Sequence, residues 1–498
     1  MSRFLSKVSV PSTSVLWLAV ALCSTSAVHA AVTISTAATS NMSCVSGVCT
    51  PTAANAVLNV SDLTTMLGSG NVQVNTGSGS LAQQVEDIVV AASFNWASAN
   101  SLTLDAYRSI TFGQPVAVDG TSAVSLVTND GGSGGALSFI SGGSLSFLSP
   151  TNSLAINGNA FTLADNIAAL AADIAAKPGG HYAFSANYNA GNDGTYNVAP
   201  IPTKFKGTFD GLGNTISNLT INGSEKDKRI GLFAYVDTAG SINSVVLGGA
   251  SIKVATNNDK GSLIYGGILI GENYGTIFNA FTAGDISGKE RPHRLLLLGG
   301  LAGGNDGSIL DSASATNVSV SAKNPAFQLD AGGLAGANSG TIESSYATGS
   351  ISVSNMVPSV SGGLVGYNEG PIENCYAAGA TTVSNNSSAG GLVGSTLSAI
   401  TSSYSTGTVT GGNDSAVGGF VGYDSSQDGL SNTYWDTTTS GITNLSQGAG
   451  NIANDPGIVG ETSAQLQAGL PAGFDPTIWA ENPSINSGFP YLIANPPQ

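Results

Sequence analysis

Few side chains in this sequence are equipped for catalysis, and their spacing argues against most of the chemistry they could do. Beyond residue 30 the histidines are His181 and His293, and neither sits in a His-Glu-x-x-His or comparable ligand pattern. A Ser-His-Asp set would need one of many serines to approach either histidine in space, and no spacing singles one out. Glycosidases need two carboxylates about 5 to 9 Å apart, and a polysaccharide lyase needs a base beside the sugar. Asp210, Asp237, Asp285, Asp306, Glu343, Glu369 and Glu373 could supply carboxylates. Glu343 and Glu373, however, occupy equivalent slots of a repeat, as a solvated face would require. The spacing therefore predicts no catalytic set, no metal site and no cofactor.

The basic side chains are scarcer still. The chain has 15 Lys and Arg against 31 Asp and Glu, a net charge of −16, and neither Lys nor Arg after Lys323. Such a balance argues against nucleic acid or an anionic membrane as partner, since neutralising phosphates takes cations. One local exception is Lys289, Arg291 and Arg294, which with Lys226, Lys228 and Arg229 concentrate positive charge. If both segments protrude on one side they make an anion-binding patch for acidic glycans; otherwise they are solvated loops.

The element that must position all of these is a repeat. Gly-Gly-Leu-Ala/Val-Gly recurs, with its glycines at Gly299, Gly300 and Gly303, at Gly332, Gly333 and Gly336, at Gly362, Gly363 and Gly366, and at Gly390, Gly391 and Gly394. Gly418, Gly419 and Gly422 close the series with Phe420 in place of Leu. Starts lie 33, 30, 28 and 28 residues apart, and divergent copies begin at Ile230 and Gly266. A unit of this length cannot bury its own apolar face and must stack on its neighbours. Stacking would align Asn273, Asn305, Asn338 and Asn368 in one ladder, and Phe281, Tyr346, Tyr376, Tyr404 and Tyr434 in a second column interrupted by Ala313. That aromatic column is either a sugar-binding platform or a packed position.

The remaining segments divide around the repeat. Arg3 and Lys7, an apolar run from Val15 to Leu22 and Val28-His29-Ala30 predict a signal peptide over 1–30. In an oxidising compartment Cys44 and Cys49 are close enough to pair, while Cys375 fills the slot that Ser345 and Ser403 take in neighbouring repeats. Residues 31–155 read as short alternating strands of a solenoid-like region. Within 156–229, helical spacing of Leu163, Ile167, Leu170 and Ile174 predicts one short amphipathic helix, followed by a lead-in to the repeats. The repeat domain spans 230–440, and 441–498 is expected to form a C-terminal cap over the last coil, with a short helix at 462–466.

The repeats at Gly332 to Ile342 and Gly362 to Ile372 resemble the GLUG motif of bacterial surface proteins of the filamentous haemagglutinin-like type, also found in some secreted peptidases. The segment from Gly207 to Ile221 looks like the stretch that precedes such repeats. The resemblance implies an all-β, right-handed parallel β-helix on an exported adhesin. The expected protein is thus secreted or held at the cell surface and not an enzyme, and it contacts glycans or matrix proteins of a host or neighbouring cell. A carbohydrate-active β-helix enzyme and a purely structural stalk are the alternatives.

Overall fold

The protein, seen in a computed structural model, is described over residues 30–77, 85–140, 142–223, 228–255, 263–290, 295–322, 328–354 and 358–497. The expected signal peptide, apart from Ala30, lies outside them. Over these residues the chain is an all-β solenoid with three short α-helices. Strands of successive coils pair in parallel, in register, and almost without exception.

Each repeat coil presents three faces. One face is a seven-stranded sheet that includes Gln328–Gly332 and Ser359–Gly362. The Gly-Gly-Leu corner follows, then a second seven-stranded sheet that includes Ala335–Asn338 and Val365–Asn368. The third face carries short strands such as Thr341–Glu343, Tyr346–Ala347 and Ile351–Ser354. Between the first two of these, Ser244, Asn279, Asp311, Ser344, Asn374, Ser402 and Asn432 all adopt positive φ, so one left-handed residue bends every coil at the same place.

The corner glycines are required by the approach of the next coil. A Cβ on Gly333 would overlap the carbonyl oxygen of Gly363, and one on Gly363 would overlap that of Gly391. The next residue points inward as expected: Leu301, Leu334, Leu364, Leu392 and Phe420 are fully buried, stacked with Ile309, Ile342, Ile372 and Ile400 in one continuous core. Complete burial of each Leu stabilises by roughly 1.5–3 kcal/mol, which no isolated coil could realise.

Residues 30–156 form a second stack of parallel strands with its own core. Two details here were not anticipated. Helix α1, Val60–Ser69, packs Leu63 and Leu67 into this core; it is capped by Asn59, whose side chain accepts from the Ser61 amide. There are also two hairpins. Met42–Val45 pairs antiparallel with Val48–Pro51 through Ser46-Gly47, and Ser153–Ile156 with Asn159–Ala164 through Asn157-Gly158, with positive φ at both residues of each turn. The second hairpin reverses strand direction where the two stacks meet in one sheet.

Helix α2, Ile167–Ala176, holds Ile167, Leu170 and Ile174 but not Leu163, because Asn159–Ala164 pairs as a strand instead. Its cap is Asn166, which accepts from the Ala169 amide.

The C-terminal segment differs from the expected cap. Residues 441–457 add part of a further coil, with Ala449 bridging to Val421, and Ile458–Glu461 pairs with Leu430–Asp436. Helix α3, Ser463–Leu466, then begins with a capping box between Thr462 and Gln465. From there the chain turns back along the flank rather than over the coil end. Phe474, Trp479 and Leu492 cover Tyr346, Tyr376, Tyr404 and Tyr434, and the Asn495 side chain reaches the Ser344 carbonyl. The uncovered aromatic column is a large apolar strip, and burying it favours the flank.

Candidate functional site

The tyrosine column is not an open sugar platform. Tyr346, Tyr376 and Tyr404 stack with centroids 4.7 and 5.1 Å apart, and all three are buried beneath the returning segment. Cys44 and Cys49 face one another across the first hairpin and are joined by a disulfide. Cys375 is buried; its thiol donates to the Glu373 carbonyl, and burial pushes its pKa far above the usual range.

The expected carboxylates are dispersed. Asp285 is exposed and accepts from Asn317, and Asp237 pairs with Lys204 at 3.1 Å. Glu343 and Glu373 are register partners on one outer face, where burial and mutual repulsion raise Glu343. Asp210 is buried beside the seam of the two stacks, and burial pushes it up to about 7. His181 lines the same depression of about 340 Å3 as Asp210, with its ring 5.3 Å from that of Phe161. Among the described residues, no three His, Cys, Asp or Glu side chains are gathered to hold a metal.

What the fold does assemble is a polar groove along the two repeat sheets. Register carries Arg229 to Tyr265, Leu297 and Asp330 on one sheet, and Tyr235 to Glu272, Gly304, Ala337 and Tyr367 on the other. At one end lies a depression of about 590 Å3 lined by Val198, Pro202, Lys204, Lys228, Arg229 and Tyr235. Farther along, one of about 280 Å3 is lined by Tyr265, Asp306, Asp330, Tyr367 and Glu369.

The basic end is firmly organised. Arg229 pairs through Nε with buried Glu272, which also accepts from the Tyr274 hydroxyl at 3.1 Å. Tyr235 and Tyr274 stack at 5.3 Å, and both Lys204 Nζ and the Arg229 guanidinium lie over the Tyr235 ring, at 4.8 and 4.9 Å. Burial and the nearby carboxylates push Tyr274 up to about 12. At the other end Asp306 is raised, first by burial and then by Glu272 and Glu369.

Of the expected basic cluster, Lys228 and Arg229 therefore sit in the groove. Lys289 lies near the end of the strand Phe281–Glu290, while Lys226, Arg291 and Arg294 fall outside the described residues. Lys204 and Lys206 were missed because they precede the repeats. The bridges Ile201 to Phe233 and Phe205 to Val236 bring them alongside the first coil. Tyr235 and Tyr265 could have been found by aligning the divergent first copies in strand register.

No helix among the described residues is long and apolar enough to cross a membrane. Comparison with known proteins places the repeats more closely. Halomucin of Haloquadratum walsbyi is 36% identical over 163 residues, which cover 32% of this chain but only 2% of that much longer protein. A family model described as the GLUG motif matches residues 328–352 and 358–384, so that two consecutive coils of this solenoid carry the GLUG motif.

Proposed function

We propose that this is a secreted or surface-exposed, non-enzymatic contact protein of the adhesin type, which binds a glycan or matrix partner along its solenoid flank. The observation that carries the reading is the groove itself. Tyr and carboxylate side chains recur across several coils at sheet register, with Lys204, Lys228 and Arg229 at one end, rather than converging on one reacting position. Such a surface suits contact at many points, each of modest strength. The Cys44–Cys49 disulfide agrees with an oxidising location.

The test presents the chain from Ala31 onward to a panel of polysaccharides and matrix proteins, recording both retention and new sugar ends. Retention without cleavage is expected. Cleavage would replace this reading with a carbohydrate-active enzyme, and neither retention nor cleavage would leave a structural stalk.

A further inference from the structure

We infer that the basic end of the groove, built by Lys204, Lys228, Arg229 and Tyr235, is a subsite for an anionic saccharide bearing carboxylate or sulfate groups. The inference rests on the contact reading above and assigns its ligand chemistry.

Charge supplies the first argument. In a chain of net charge −16, the cations Lys204, Lys206, Lys228 and Arg229 gather here, and among the described residues they are paired with two carboxylates, Asp237 and Glu272. Lys228 is exposed and has no carboxylate within ion-pair range among the described residues. Arg229 spends only its Nε on Glu272, and its Nη groups donate to no described residue. A local excess of positive charge is thus held at a fixed place with donors still available.

Shape supplies the second. The same depression has an apolar wall of Val198, Ala199 and Pro202 beside the Tyr235 ring. A pyranose presents just this combination: C–H faces that pack on apolar and aromatic surface, and anionic substituents at its rim. An extended acidic peptide fits less well. On the second sheet Phe233–Val236 is paired with Ile270–Asn273 on one side and bridged by Ile201 and Phe205 on the other, so no free edge is left there for a peptide backbone, and the end strand of the first sheet, Arg229–Ile230, is only two residues long.

The experiment compares binding of oligogalacturonate, a sulfated dextran oligomer, neutral dextran and polyglutamate to the chain from Ala31 onward. It uses the wild type, Lys228→Ala, Lys228→Arg, and Lys177→Ala as an equal charge loss at the exposed end of α2. The expected result is at least about 10-fold preference for an anionic over the neutral glycan, as desolvated charge pairs supply. A roughly 10-fold loss in Lys228→Ala is also expected, with recovery in Lys228→Arg and little change in Lys177→Ala. Circular dichroism of each variant checks that the solenoid is intact. Equal losses in Lys228→Ala and Lys177→Ala, or polyglutamate bound as tightly as the glycans, would overturn the subsite. Retention of neutral glycans or matrix proteins without anionic preference would overturn it while leaving the contact reading standing. Binding of nothing would remove both.

Discussion

Asn305 donates from Nδ2 to Oδ1 of Asn338 at 2.7 Å, linking residues 33 positions apart in the chain across adjacent coils. The same bond runs from Asn273 to Asn305 and from Asn338 to Asn368, and the ladder ends on the Thr396 hydroxyl. Every rung is buried. Asn338→Ala removes one acceptor and one donor and also frees the Gly340 carbonyl. The cost should be about 2–4 kcal/mol, since buried polar groups left unpaired cost about 1–3 kcal/mol each. A urea midpoint that hardly moves would show that the ladder is ornamental.

Cys375 does the work of a serine. Ser345 and Ser403 donate to the carbonyls of Glu343 and Thr401 at 2.8 and 2.7 Å, as Cys375 does to Glu373 at 3.1 Å. Cys375→Ser should therefore stay within about 1 kcal/mol of the wild type, whereas Cys375→Leu overpacks the core by roughly 1–3 kcal/mol. A thiol reagent should label Cys375 only after unfolding. Rapid labelling of the native chain would contradict the buried position.

Two tyrosines of one column should respond oppositely to loss of their hydroxyls. Tyr404 donates to the Pro490 carbonyl at 2.6 Å and accepts from Asn486, whereas the buried Tyr376 hydroxyl has no partner among the described residues. Tyr404→Phe should cost about 1 kcal/mol, and Tyr376→Phe should be neutral or slightly stabilising. Thermal melts of the two variants decide it; equal losses would mean that the returning segment packs differently.

Asp210 makes stability depend on pH. Its folded pKa, raised by burial to about 7, lies above the unfolded value, so the folded state holds the proton more tightly. The stabilisation is present in acid and is lost between about pH 4 and pH 7, at about 1.4 kcal/mol per pH unit. Asp210→Asn keeps the acceptor for the Leu212 amide and removes the titration. The difference in urea midpoint between wild type and Asp210→Asn should grow across that window in favour of Asn. A constant difference would show that Asp210 is ionised in the native state.

Legibility followed the period. The glycine blocks, the asparagine ladder and the inward Leu column could be read because stacking forces equivalent residues together. The returning segment could not, since Trp479 reaches Asn374 and Asn495 reaches Ser344 with no repeat to announce either contact. Helix α1 carried its signals, Asn59 before Val60, Leu63 and Leu67, but Thr64, Thr65 and Gly68 dilute them in a strand-rich stretch. The groove was half visible. Lys228 and Arg229 stood out by charge, whereas Glu272 and the tyrosines that fix Arg229 become neighbours only through strand register.

The flank course of the last residues also decides where tension enters the molecule. Asn495 and Pro496 are tied to Ser344 and Tyr346, well inside the stack rather than at its final coil. A pull transmitted through this stretch first meets the ties of Asn495 and Pro496, then Trp479 and the tyrosines it covers, and so loads that lateral seam lengthwise before the end coil. Loaded in this way, the solenoid is gripped at its side, and its terminal coils are shielded from the force.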